Sequence, residues 1–380
     1  MIPYGRQSIS DADVEAVIAV LRSDWLTQGP AVPRFEAAVA AYTGAKHAVA
    51  MNSATSALHV ACLALGVGPG DWVWTSPNTF VASANCVYYC GAEVDFVDID
   101  PRTYNLSVPA LEAKLEVAAR EGRLPKVVIP VHFSGEPCDM AAIAKLARTY
   151  GFRVIEDASH AIGGRHGGVP IGAGVHSDVT VFSFHPVKIV TTAEGGMALT
   201  NDPALAARMQ RLRTHGITRD AAEMTVPAPG AWYYEQVELG FNYRMTDMQA
   251  ALGSSQMERI DAFVAERHRL AARYDEMLAS LPVGLPHRDP ASYSALHLYV
   301  VQVDDRDRVF AAMRADGVGV NVHYIPVNRQ PWHAARLGRR ALTPKADAYY
   351  ARAISLPLYY GLDDEAQATV CRVLQQALRA

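Results

Sequence analysis

The sequence predicts an α/β protein: a mostly parallel central sheet flanked by helices, followed by a smaller α+β unit. Three observations predict it. Short runs rich in β-branched and aromatic residues alternate with amphipathic segments of about 10–15 residues. The chain has 380 residues, more than one core usually serves, which favours two domains. Polar residues able to do chemistry fall at the ends of the strand-like runs, where open parallel sheets bind ligands.

The composition narrows the function. Half of the residues are hydrophobic and 19% are charged, as in ordinary globular proteins. A net charge of −4 offers no basic footprint for nucleic acid. No apolar run approaches the ~20 residues that span a bilayer. The start, Met1-Ile-Pro-Tyr-Gly-Arg6, lacks an apolar signal core, so a cytoplasmic protein with no membrane partner is expected. The cysteines (Cys62, Cys86, Cys90, Cys138, Cys371) form no CxxC pair and read as reduced core residues.

Residues 10–23 open with a capping-box-like Ser10-x-x-Asp13 and place Val14, Val17, Ile18 and Leu21 at helical spacing. Trp25-Leu-Thr-Gln-Gly29 is a polar turn, and a second helix covers 31–43. Ala48–Met51 is a strand, from which Asn52-Ser-Ala-Thr-Ser-Ala57 leads into a helix to about 65. Strands follow at 72–75 and 93–98 with a helix at 79–90 between them. Then come a strand at 127–131, a helix at 139–149 and a strand ending at Asp157. Gly163–Gly168 is a hairpin tip. Val181, Phe182 and Phe184 bring in a further strand-like run that Pro186 breaks, and Gly195-Gly196 carry the chain onward to a helix at 202–214. Residues 217–241 lack periodicity, and a loop that long in a compact domain is usually functional or mobile. One amphipathic helix is expected over 245–281, interrupted only by Gly253. A boundary near 265 divides a large unit, 1–265, from a small one, 266–380. The small unit holds a strand at 297–303, a helix at 306–316, a strand at 319–324 and helices near 346–354 and 363–379.

The chain has six lysines, and only Lys188 is embedded between apolar segments. Lost hydration disfavours the charged form and frees a nucleophilic amine for a carbonyl or an aldehyde cofactor. Small hydroxyl residues at Ser53–Ser56 open a helix whose free N–H groups suit a phosphate. Asp157 closes a buried strand, where a carboxylate needs a partner such as a protonated pyridine nitrogen. Phe80 offers a stacking surface for a flat ring. Each has a plainer alternative: a snorkelling lysine, a helix N-cap, a cap on the residues after Asp157, and a core aromatic. Together the four fit one cofactor, pyridoxal 5′-phosphate. His132 and Cys138 have no third ligand at metal spacing, so no metal is expected. Gly66-Val-Gly-Pro-Gly70 precedes a strand instead of following one, which argues against a dinucleotide loop.

These segments resemble the DegT/DnrJ/EryC1/StrS sugar aminotransferases, a branch of the fold type I (aspartate-aminotransferase-like) pyridoxal phosphate enzymes, over nearly the whole chain. The resemblance rests on Trp25-Leu-Thr-Gln-Gly29, Asn52-Ser-Ala-Thr-Ser-Ala-Leu58, Ser76-Pro-Asn-Thr-Phe80, Glu156-Asp-Ala-Ser-His-Ala161, Ser183-Phe-His-Pro-Val-Lys188, Thr191-Thr-Ala-Glu-Gly-Gly196, Gly240-Phe-Asn-Tyr-Arg-Met245 and Val322-His-Tyr-Ile-Pro326. It implies that Lys188 is the Schiff-base lysine, that Asp157 partners the ring nitrogen and that Phe80 stacks on the ring. It also implies that the Ala54-Thr55 backbone and the Ser183 hydroxyl hold the phosphate. Asn242 is expected to reach the phosphate of a neighbouring subunit, which makes the enzyme a homodimer. Tyr4, Trp25, Leu26, Thr27, His323 and Tyr324 match segments lining a sugar-nucleotide pocket. His185 faces the sugar or simply packs. Many members carry Gln where this chain has His160, which is expected to stack on or hydrogen-bond the cofactor. With His160, the pattern is most similar to the pseudaminic-acid branch. That branch implies ping-pong transfer from L-glutamate to C4 of a UDP-2-acetamido-2,6-dideoxy-4-keto-hexose. Alternatives are another keto nucleotide sugar (4-amino-arabinose, perosamine or 3-amino-sugar type) or a non-catalytic protein on the same fold. Sibling dehydratases have His in place of the lysine, so Lys188 argues against that activity.

Overall fold

The apolar runs of the first half pair into a single sheet. In the computed structural model, which describes residues 1–337 and 342–379, the first five strands are β1 (His47–Met51), β2 (Trp72–Thr75), β3 (Glu93–Phe96), β4 (Val127–Ile129) and β5 (Arg153–Asp157). A small hairpin follows, β6 (Arg165–His166) and β7 (Val169–Pro170), then β8 (Val179–Ser183) and β9 (Gly196–Thr200). The sheet order is β1-β9-β8-β5-β4-β2-β3. β9 runs antiparallel to both neighbours, and the remaining pairs are parallel. Val127, Val128, Ile129 and Ile155 are fully buried, as expected of central strands covered on both faces.

Helices α1 (Asp11–Leu21), α2 (Ala31–Thr43), α3 (Ala54–Ala64), α4 (Ala82–Tyr89), α5 (Val108–Glu121), α6 (Met140–Tyr150) and α7 (Pro203–Arg213) connect and flank these strands. The Ser10 side chain and the Asp13 carboxylate close the anticipated capping box. α4 is shorter than expected, so Thr79 and Phe80 stand outside it, at the carboxyl end of β2.

The helix expected over 245–281 is two helices, α8 (Asp247–Met257) and α9 (Ile260–Leu278), broken at Glu258–Arg259. Gly253 does not interrupt α8. It lets α8 approach α2, because a Cβ there would sit 2.6 Å from the Phe35 ring. The 217–241 stretch contains only a two-residue ladder, β10 (Ile217–Thr218) with β11 (Glu235–Gln236). β12 (Ser292–Tyr293) adds to the β6–β7 hairpin.

The C-terminal part pairs β13 (Tyr299–Gln302) with β14 (Ala353–Leu356) and packs α10 (Arg306–Ala315) against α13 (Asp364–Arg379). α11 (Pro331–Leu337) and α12 (Pro344–Arg352) lie between them in sequence. The strand expected at 319–324 is absent: Asn321 makes one bridge to Ser355, and β14 takes the place beside β13. Within this part, Leu270, Tyr274 and Leu278 of α9 share one core with Tyr299, Val301 and Leu374. Ile260, Phe263 and Val264 of the same helix belong to the core of the large sheet. Residues 338–341 and 380, within the small unit expected from the sequence, lie outside the described residues. Among the described residues no helix is long and apolar enough to cross a membrane.

Candidate active site

Strand register brings three backbone ends to one point. Met51 of β1 and Ser183 of β8 both pair with Gly196 at the start of β9. α3 begins there, and the Ser53 hydroxyl accepts the Ser56 N–H at 3.1 Å. The N-cap alternative therefore holds, yet the Ala54 and Thr55 N–H groups of the first turn still have no acceptor within the helix. They face outward at the positive helix end. A Cβ on Gly196 would lie 2.3 Å from the Ala54 nitrogen, so only glycine lets β9 start beneath the helix. This cradle of N–H groups, with the buried Ser183 beside it, fits a phosphate. Gly196→Ala is expected to displace the first turn of α3, with an overpacking cost of about 1–3 kcal/mol, and to weaken cofactor binding roughly tenfold. A fluorescence titration of the cofactor-free protein with pyridoxal phosphate measures this.

Lys188 sits on a loop between β8 and β9 that is tied at its base. The Phe184 N–H donates to the Gly195 carbonyl, and the Thr192 N–H to the Phe184 carbonyl, each at 2.9 Å. Phe184, Ile189 and Val190 are buried and anchor the loop, so the lysine is held by its apolar neighbours. Lys188 as a whole is half-buried, and the amine is desolvated. Burial pulls its pKa down to about 8, against the Asp157 carboxylate, which raises it. Only the neutral amine attacks an aldehyde. Uptake of pyridoxal phosphate by the cofactor-free protein is therefore expected to accelerate as pH rises through about 8. An ordinary lysine would place that midpoint above about 10. Stopped-flow absorbance against pH distinguishes the two.

Asp157 ends β5 and is buried. Its Oδ1 accepts the Ser159 N–H at 3.1 Å, as the capping alternative expects. Its Oδ2 accepts the Ser83 hydroxyl at 2.6 Å, a partner that the sequence did not reveal. Phe80 is not a core aromatic. It is 58% exposed, and its ring centroid lies 6.2 Å from that of Tyr324. Behind Asp157, the Cys138 N–H donates to His132 Nδ1 at 2.9 Å. That leaves Nε2 to donate to Glu156 at 2.7 Å. Burial raises the pKa of Glu156, but donors from His132, Ser177 and Thr180 outweigh it and hold the pKa below the usual range. The His132 backbone N–H also donates to the Asp157 carbonyl at 3.0 Å, so this buried pair braces the end of β5.

Three uncharged imidazoles, those of His160, His297 and His323, lie near enough to feel the Lys188 charge, while Arg6 and Arg267 share the small cavity that Lys188 lines. His160 Nε2 lies 3.1 Å from the Tyr324 hydroxyl, and its buried Nδ1 has no hydrogen-bond partner among the described residues. His297, another residue that the sequence reading missed, places its ring centroid 4.3 Å from that of His160, tilted by 47°. Arg267 fixes the backbone of His297 by donating to the carbonyls of Leu296, His297 and Leu358 at 3.1, 3.2 and 3.0 Å. Burial, with the Lys188 charge, drives the pKa of His160 and of His323 down, the latter to about 3. Burial and the neighbouring His160 and Lys188 do the same to His297. His323 bonds Ser355 at 2.8 Å, and its ring lies 5.4 Å from that of Tyr4. Burial raises the pKa of Tyr324, so it remains a protonated phenol.

Lys188, Asp157, Phe80, His160, His323, Tyr324 and Tyr4 are thus linked by contact or charge, with Ser183 and Ala54-Thr55 at the adjoining strand ends. The other expected residues are exposed. Trp25, Leu26 and Thr27 lie on a turn whose Thr27 bridges Thr246. Asn242 is exposed, one residue before Tyr243, whose carbonyl accepts the Asn52 N–H at 2.9 Å. His185 is exposed, and its carbonyl accepts the Lys188 N–H at 2.9 Å.

Known proteins resemble this chain along nearly its whole length. The DegT/DnrJ/EryC1/StrS aminotransferase family profile matches residues 7–375. The spore coat polysaccharide biosynthesis protein SpsC of Bacillus subtilis is 40% identical over 374 residues, 96% of this chain and 94% of that protein. The putative sugar aminotransferase Spr1654 of Streptococcus pneumoniae, solved in its PMP form, superposes with a TM-score of 0.90 at 30% identity, covering 100% of this chain and 99% of the other. A PLP form of Spr1654 is also similar. Helicobacter pylori PseC, an aminotransferase involved in the biosynthesis of pseudoaminic acid, superposes with a TM-score of 0.91 at 27% identity, covering 100% and 99%. Fold and profile agree, and the chain belongs to the DegT/DnrJ/EryC1/StrS family of pyridoxal-phosphate-dependent sugar aminotransferases.

Proposed function

We propose that the protein moves the amino group of L-glutamate to C4 of a UDP-2-acetamido-2,6-dideoxy-4-keto-hexose. The observation that carries the reading is the Lys188 amine, drawn to a pKa of about 8 within reach of the Asp157 charge and near the uncharged His160 and His323. When bound, pyridoxal phosphate supplies an aldehyde through which an amino group can be carried and a ring that accepts electrons. The chain supplies the rest. The Ala54 and Thr55 N–H groups and the Ser183 hydroxyl hold the phosphate. Asp157 holds the ring nitrogen, Phe80 supports a ring face, and His160 offers its Nδ1, which no described residue engages. Lys188 holds the cofactor, and its Nζ, partly neutral at cellular pH, takes and returns the proton at the reacting carbon. Tyr4, His323 and Tyr324 line the approach to this amine without adding charge, which suits a sugar ring. Trp25, Leu26, Thr27 and His185 extend that approach toward the nucleotide.

The choice of sugar is supported by His160 within Glu156-Asp-Ala-Ser-His-Ala161 and by the likeness to PseC. The higher identity to SpsC favours a second reading, in which the substrate is another keto nucleotide sugar made for a surface polysaccharide. Purified protein loaded with the amino form of the cofactor, offered a panel of 4-keto and 3-keto nucleotide sugars, separates them. The sugar that restores the visible absorbance of the aldehyde form is the substrate. Failure with every UDP-linked 4-keto sugar rejects the first reading.

We further infer a cytoplasmic homodimer in which Asn242 reaches across to the phosphate of the second subunit. Trp232 and Leu239, 72% and 78% exposed, need covering, and they lie on the aperiodic 217–241 stretch. Residues 1–265 and 266–380 are read as its two domains, joined within α9. Sedimentation equilibrium of the purified protein tests the dimer.

A further inference from the structure

Neither the family pattern quoted above nor the proposed roles includes Ser83, yet among the described residues it makes the shortest hydrogen bond to Asp157. Its hydroxyl donates to Asp157 Oδ2 at 2.6 Å, and both residues are buried. Thr79 Oγ1 lies 2.7 Å from Ser83 Oγ. An ionised carboxylate only accepts, and a hydroxyl has one proton to give. Ser83 spends that proton on Asp157, so the Thr79 hydroxyl must donate to Ser83. The result is a directed chain, Thr79 to Ser83 to Asp157, whose members polarise one another in a buried setting. Ser83 Oγ also lies 3.5 Å from the Phe80 carbonyl, too long to compete with the bond to Asp157.

The terminal torsion of an aspartate is broad and poorly fixed by its own rotamer preference. Something outside the side chain must set the carboxylate plane. Here the Ser159 N–H takes one oxygen and Ser83 the other. Thr79, Phe80 and Ser83 all belong to the turn that opens α4, and the positive end of that helix also favours an anion. One turn therefore presents the exposed Phe80 ring and clamps the carboxylate.

We propose that Ser83, backed by Thr79, is a positioning residue that fixes the Asp157 carboxylate for the ring nitrogen of the bound cofactor and so keeps that nitrogen protonated. The inference rests on the role proposed above for Asp157. Wild type, Ser83→Ala, Thr79→Val and Asp157→Asn are loaded with pyridoxal phosphate carrying ¹⁵N in the ring. The nitrogen resonance is followed across roughly pH 6–9, alongside kcat and KM for L-glutamate.

Wild type is expected to stay protonated throughout, and Ser83→Ala to lose the proton within the range. Its kcat should fall roughly tenfold to a hundredfold, the range for a lost hydrogen bond to a charged group, with KM changed about twofold or less. Thr79→Val, which keeps side-chain shape, should shift the resonance the same way by less. Where Ser83→Ala does not load, Thr79→Val decides. Variants that load and keep the wild-type resonance overturn the inference while leaving the role of Asp157 intact. A wild type that does not load, or an Asp157→Asn variant with an unchanged resonance, overturns the role of Asp157 itself, and the inference with it.

Discussion

Lys188→Ala is expected to give a folded protein without turnover. The loop bearing Lys188 is anchored by Phe184, Ile189 and Val190 and closed by backbone hydrogen bonds at Phe184, none of which involves the amine. Truncation removes a desolvated amine whose pKa is already drawn to about 8, so stability should change little. Activity should not survive, because the roles proposed for this one group are to hold the cofactor and to move the proton. Losing a positioned acid–base group costs up to about 10⁴-fold, and losing the covalent anchor adds to that. Steady-state assays should find kcat at background, and the visible absorbance of the lysine-bound cofactor should be missing. Circular dichroism should match wild type. A small primary amine added to the buffer should restore part of the rate, which a role limited to packing would not allow.

Asp157→Asn should have the second largest effect. The substitution keeps shape but removes the charge, and it turns one oxygen into a donor that faces the Ser83 hydroxyl or the Ser159 N–H. Removing one pre-organised electrostatic partner typically costs on the order of 10²–10³ in kcat. A second readout has a definite sign. The Asp157 charge raises the pKa of Lys188 against the lowering effect of burial. Without that charge the pKa falls further, so the pH at which cofactor uptake accelerates should move below about 8. Uptake at pH 7 should then be faster than in wild type even though turnover is slower. Equal pH profiles for the two proteins would remove Asp157 from the neighbourhood of the amine.

Much of this site was legible because its chemistry conflicts with its surroundings. A scarce lysine among β-branched residues, a carboxylate at the end of an apolar strand and a hydroxyl run at a helix start are each costly or unusual unless they meet a ligand. Ser83 was not legible, since a serine on a helix carries no signal until its partner 74 residues away is known. His297 sits in Ala295-Leu-His-Leu298, a pattern that core packing explains equally well. β9 was missed because Gly-Met-Ala-Leu-Thr has few β-branched residues and owes its form to two flanking strands. The break at Glu258–Arg259 contains neither Gly nor Pro, while the glycine that invited a break, Gly253, serves the close approach of α2 and α8. β14 stayed hidden behind the helix that ends at Arg352, where antiparallel pairing with β13 decides the conformation. Local pattern thus located groups that need a ligand, and tertiary contact chose the groups that hold them in place.

The central claim is that an amino group passes through this site to a keto sugar. Its most direct test is a chase with isotope. Holoenzyme is treated with ¹⁵N-labelled L-glutamate, freed of excess donor and mixed with a UDP-linked 4-keto sugar, and the sugar is weighed by mass spectrometry. The account requires an amino sugar carrying ¹⁵N, formed in proportion to enzyme sites, with none from Lys188→Ala. Recovery of the unchanged ketone, or of a dehydrated sugar without nitrogen, from holoenzyme that has consumed glutamate would contradict it.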